Sequence, residues 1–123
     1  MGERVRTDKA SGADGILSQA MVSNGLVFCS GQVHMTDGKM VEGSVKDKMD
    51  AIMANISAVL EAAGSSLDKA VDVKIFVTDM GQMGELNEVY PSYFKGDLPA
   101  RAAIGVNELP LGAAIEISLI AEK

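Results

Sequence analysis

Two charged side chains near the C-terminal end have both the type and the setting to do chemistry. Arg101 opens one apolar run in residues 99–117, and Glu116 lies inside the next. A cation or an anion among apolar strand residues is costly unless it meets its opposite or a ligand. An arginine fork grips a small carboxylate through two parallel charge-assisted hydrogen bonds and stays charged at every relevant pH. A glutamate whose pKa is raised by burial can act as a general base or acid. The plainer reading is a structural salt bridge between the two, and the residues alone leave both readings open.

Other candidates are weaker. Ser30 has no histidine or lysine base beside it in the sequence, so it reads as a hydrogen-bond donor and not a nucleophile. Asn87 on a helical segment reads as a surface or capping residue. Cys29 and His34 are the only cysteine and histidine. They offer no zinc site, and both read as packing groups. Gly38-Lys39 is followed by Met40, so no phosphate-cradling loop is present.

The chain has 123 residues, 47% of them hydrophobic, which suits one domain with one core. Its net charge of −6 and its five aromatic residues, two Tyr and three Phe, argue against a nucleic-acid partner. A single cysteine permits no internal disulfide and fits a reducing compartment. No signal peptide, myristoylation pattern or membrane span is evident, so the expectation is a soluble intracellular protein. The cytosol is the first assignment and the mitochondrion the alternative.

The elements that must carry these residues can be read in order. Residues 1–14 read as an extended or loose arm, and residues 15–123 as a single domain. Asn24-Gly25 between apolar runs predicts a hairpin, and Asp37-Gly38 a second turn. Ser44, with Asp47 three residues on, predicts a helix start. Met49, Ile52, Met53, Ile56, Val59 and Leu60 form its apolar stripe, and Gly64 stops it. Residues 70–77 alternate as a strand. A second helix covers residues 83–94, where Pro91 forces either a kink or an end and restart. Residues 102–106 and 113–121 read as neighbouring strands joined by a turn at Pro110 and Gly112. The order predicts an α+β sandwich, a sheet of five or six strands with two helices on one face. The other face, with Phe76, Ala114, Glu116, Ser118 and Ile120, is too apolar for water alone, so copies of the chain are expected to cover it near Arg101 and Glu116.

Several segments together resemble a known family. Pro99-Ala100-Arg101, Leu109-Pro110-Leu111 and Ile115-Glu116-Ile117 resemble the signature of the Rid family, the reactive intermediate deaminases also called YjgF or L-PSP proteins. Ser30-Gly31-Gln32, Leu60-Glu61-Ala62-Ala63-Gly64, residues 74–79 and Asn87-Glu88-Val89-Tyr90 match the same family in the same order. The resemblance covers about residues 15–122. It implies a chorismate-mutase-like fold and a homotrimer with sites in the clefts between subunits. It also implies cofactor-free and metal-free hydrolysis of enamines and 2-imino acids, such as 2-aminoacrylate, to 2-keto acids and ammonia. By position, Arg101 would clamp the substrate carboxylate and Glu116 would handle water or protons. Ser30, Gly31, Asn87 and the backbone N–H of Ala103 would line the cleft. Leu17 stands where many deaminases have tyrosine, and Ala103 where many have cysteine. Asn107 and Glu108 replace a small and a basic residue. The cleft implied is more apolar, suited to a bulkier or more hydrophobic imino acid. An endoribonuclease and a non-catalytic, carboxylate-binding regulatory trimer are the alternatives.

Overall fold

Asn24 (φ 53°) and Gly25 (φ 75°) make the doubly left-handed turn that their residue types favour, in a computed structural model that describes residues 2–123. The turn joins β2 (Ala20–Ser23) to β3 (Leu26–Val33). Before it, β1 (Glu3–Val5) pairs antiparallel with β2, Val5 opposite Ala20. Within the arm expected over residues 1–14, Glu3–Val5 is therefore a paired strand and residues 6–14 are turns and irregular backbone; Met1 lies outside the described residues. Asp37 (φ 51°) and Gly38 (φ 79°) turn a short hairpin between β4 (Met35–Thr36) and β5 (Lys39–Met40).

Helix α1 (Val45–Ala62) begins and ends where its capping residues require. The Ser44 hydroxyl accepts the Asp47 N–H at 3.1 Å, and the Asp47 carboxylate accepts the Ser44 N–H at 3.2 Å. At the other end Gly64 takes φ 83°, so that its N–H reaches the Glu61 carbonyl and the Ser65 N–H reaches that of Leu60. Between these ends the stripe from Met49 to Leu60 is fully buried.

Strand β6 (Ala70–Val77) follows, then α2 (Met83–Val89). Pro91 resolves by ending the helix: the chain tightens into a 3-10 turn, Tyr90–Tyr93, instead of kinking at Asn87. Strand β7 (Ala100–Gly105) and a turn over Pro110–Gly112 lead to the last strand, β8 (Ile115–Glu122).

The six-stranded sheet runs in the order β1-β2-β3-β8-β6-β7. All neighbours are antiparallel except β6 and β7, which are parallel across the α2 crossover. One expectation is overturned here. The runs carrying Arg101 and Glu116 are consecutive in sequence but not neighbours in the sheet, because β6 lies between them. The α2 crossover sets β7 parallel on one edge of β6, and β8 pairs antiparallel with the other edge.

Alternation divides the sheet into two faces. Val27, Cys29, Val73, Ile75, Val77, Ile115, Ile117, Leu119 and Ala121 join α1 and Leu86 of α2 in one core. Burial pushes the Cys29 thiol up to about 12, so it stays protonated. The opposite face is open. Cross-strand rows place Met21, Phe28 and Ile120 together, and Glu116, Phe76 and Ile104 together. Phe28 remains 43% exposed there. Among the described residues, no helix is long and apolar enough to cross a membrane.

His34 is buried and fully committed. Its Nδ1–H donates to the Val41 carbonyl, and its Nε2 accepts the Ala114 N–H, each at 2.9 Å. Accepting a backbone N–H requires the neutral ring, and burial lowers the pKa below the ordinary 6.5.

Truncating Ile52, which is 0% exposed, removes core contacts that the helix cannot recover. Ile52→Ala is expected to lower stability by about 2–5 kcal/mol in urea unfolding. For His34 the unfolded chain binds the proton first as pH falls, so the native state keeps its full stability above pH 6.5 and loses it below. Urea midpoints should decline as the pH falls below 6.5 in the wild type, and less so in His34→Gln.

Candidate functional site

The register of β3 against β8 slips between Cys29 and Gln32. Ser30 and Gly31 together oppose the single residue Ser118, and this bulge turns their backbone toward the open face. Glu116 lies on that face between Val33 of β3 and Phe76 of β6. Its carboxylate rests on Gly31: a Cβ added there would stand 2.9 Å from the Glu116 carboxyl carbon. The bulge and the missing side chain thus admit a carboxylate against the β3 backbone. Partial burial raises the Glu116 pKa, and among the described residues no cation pairs with it.

Leu17 joins this group through Ser30. The Ser30 hydroxyl donates to the Ser18 carbonyl at 2.6 Å, and the Ser30 N–H donates to that of Gln19 at 2.9 Å. Its proton is therefore committed to the loop, leaving oxygen lone pairs as the free capacity. The loop itself wraps a buried glutamine. The Gln19 side-chain oxygen accepts the Thr7 N–H, and its amide donates to the carbonyls of Thr7, Ala10 and Ser11. Arg4 donates to the Leu17 carbonyl and to Asp14. Leu17, 41% exposed, is thus presented from a fixed backbone. Nothing in the local pattern of the sequence marks Gln19 as this anchor, because its partners are all backbone groups.

Arg101 belongs to a second group. On β7 it pairs in register with Val73 and so points to the helix side, whereas Glu116 points to the open side. Within one chain the two lie about 10 Å apart along the strands and about 10 Å across them, on opposite faces. The salt bridge between them is absent. Arg101 instead lies over the Tyr90 ring, its guanidinium carbon 4.8 Å from the ring centre. Ala103, in register with Ile75, shares that side of β7, and Asn87 is exposed one turn before Tyr90 on α2. Tyr90 is buried, and nothing in its local sequence pattern marks its ring as the one that carries Arg101.

The predicted site residues therefore fall into two groups, Leu17, Ser30, Gly31 and Glu116 around β3 and β8, and Arg101, Ala103 and Asn87 on β7 and α2. Similar chains are known. The protein HMF1 of Saccharomyces cerevisiae is 45% identical over 115 residues, 93% of this chain and 89% of that one. The 2-iminobutanoate/2-iminopropanoate deaminase of Rattus norvegicus is 38% identical over 119 residues, 95% and 87% of the two chains. The crystal structure of YyfA, a Rid family protein from Yersinia pestis, superposes with a TM-score of 0.95 at 36% identity and covers 100% of both chains. The family model described as Endoribonuclease L-PSP matches residues 7–123. This chain belongs to that family, the family of the Rid proteins.

Proposed function

We propose that the protein hydrolyses enamine-derived 2-imino acids to 2-keto acids and ammonia, in a cleft completed by a second copy of the chain. The observation that carries this reading is the separation of Arg101 from Glu116. Each is uncommitted, a carboxylate anchor without an acid partner and a carboxylate without a cation. The apolar open face around Glu116 is suited to burial against another copy, whose β7 edge would bring in the missing arginine. The trimer of the family resemblance closes such contacts cyclically.

The chemistry asks little of the protein. Protonation at the enamine carbon gives an iminium, and water adds to its C=N carbon. The resulting amino alcohol expels ammonia and leaves the ketone. Arg101 would fix the carboxylate, and Glu116 would take a proton from the attacking water and return it to the departing nitrogen. Gly31 keeps the space in which that carboxylate sits. Leu17 gives the cleft an apolar wall, which favours imino acids bulkier than 2-aminoacrylate. An endoribonuclease would need acid–base groups at an RNA backbone, and the single histidine is buried with both ring nitrogens occupied.

The test generates 2-aminoacrylate and longer 2-imino acids in situ and follows keto-acid release. Wild type should exceed the spontaneous rate, most clearly with branched aliphatic substrates, and Arg101→Ala should lose most of that activity through KM. Glu116→Gln should lower kcat by about 10²- to 10⁴-fold. Wild-type kcat should fall as acid protonates Glu116, at a pH above the ordinary glutamate value of 4.5. A wild type no faster than solvent with every substrate would sink the enzyme reading, and binding of 2-ketobutyrate by such a protein would favour a regulator. A second variant isolates the glycine: Gly31→Ala should displace the Glu116 carboxylate and cut kcat at least about tenfold, with an unfolding midpoint close to wild type.

A further inference from the structure

We infer that Tyr90 is a positioning residue for Arg101, holding the guanidinium in place through its ring face without neutralising it. The inference rests on the carboxylate-binding role proposed for Arg101. The geometry behind it stands by itself.

The three arginines of the chain are treated differently. Arg4 reaches Asp14, and Arg6 is shared by Asp8 and Asp14 at 2.9 Å each. Their charge is already answered. Arg101 makes no ion pair and no side-chain hydrogen bond among the described residues, and it lies on an edge strand where solvent reaches it. A long side chain so placed would sample many rotamers, and a ligand would have to freeze them. The Tyr90 ring, 4.8 Å from the guanidinium carbon, limits that freedom.

The kind of contact matters as much as its presence. A carboxylate partner would occupy the in-plane N–H fork and cancel the charge that a substrate carboxylate needs. A ring beneath the guanidinium uses only its flat face. All five N–H donors point outward in the plane and stay free. An aromatic ring can therefore fix an anion-binding arginine and still leave its binding capacity intact.

Tyr90 is built to be a firm support. It is buried to 4% exposure, and its ring packs on that of Phe94 with centroids 5.1 Å apart at a tilt of 50°. It lies where α2 gives way to the 3-10 turn at Pro91, so the proline that ends the helix also fixes the backbone beneath the ring. Among the described residues the Tyr90 hydroxyl is buried without a hydrogen-bond partner. The phenol oxygen thus contributes no tether, which leaves the ring as the working part.

Tyr90→Phe and Tyr90→Leu separate ring from hydroxyl. In the imine assay Tyr90→Phe should keep the wild-type KM. Tyr90→Leu should raise KM, and the Kd for the product analogue 2-ketobutyrate, by about three- to thirtyfold, with kcat within about twofold of wild type. Added to Arg101→Ala, Tyr90→Leu should cause no further rise, because its effect passes through the guanidinium. An unchanged KM in a folded Tyr90→Leu protein overturns the inference, as does an equal rise in the Arg101→Ala background. The guanidinium can also be read without activity. The Arg101 Nε–H resonance should show an aromatic ring-current shift in wild type and Tyr90→Phe and lose it in Tyr90→Leu. The same resonance position in all three would overturn the inference. If wild type neither turns over imines nor binds 2-ketobutyrate, the proposed function fails, and this resonance alone decides whether Tyr90 holds Arg101.

Discussion

Strand β8 lies between β3 and β6, and its side chains alternate between two environments. Ile115, Ile117, Leu119 and Ala121 fill the core, while Glu116, Ser118 and Ile120 line the open face. A slip of one residue would send the glutamate into the core and the isoleucines out. The position of Glu116 is therefore secured by the same packing that stabilises the sheet. Its carboxylate needs only one further concession, the bulge with Gly31, which breaks the pairing for a single step and leaves the core residues on either side in register.

The edge strand is under a different constraint. Strand β7 pairs on one side only, and its exposed residues contribute little to the core. An arginine there must be held by something other than burial, and Tyr90 at the end of α2 supplies that support from the neighbouring layer. Central and edge strands thus carry the two groups in different ways, one anchored by alternation and the other by an aromatic contact. Neither solution brings them together inside one chain.

Much of this was legible in the residues. Asn24-Gly25, the Ser44–Asp47 cap, the Gly64 stop and the two-residue period of β6 and β8 are local signals, each set by backbone sterics or by side chains within one turn. Strand order was not legible, because pairing is non-local and a turn at Pro110–Gly112 looks the same whether its flanking strands touch or not. The left-handed conformation of Leu111 (φ 60°) in that turn also goes against residue preference, and so does not show in the sequence. The edge strand β1 escaped notice since three residues carry too little pattern. Arg101 and Glu116 stood out as misplaced charges in apolar runs, but Tyr90 looked like any core aromatic.

Cys29 gives the molecule a chemical tolerance. An imine or enamine conjugated to a carboxylate is an electrophile, and an ionised thiol in its path would be alkylated. The one sulfhydryl of this chain faces the core beneath the sheet, with its ionisation pushed up to about 12. The open face and the β7 edge expose alcohols, amides, carboxylates and guanidinium, but no sulfhydryl among the described residues. Under the proposed function, such a surface would present no thiolate for the electrophile to alkylate.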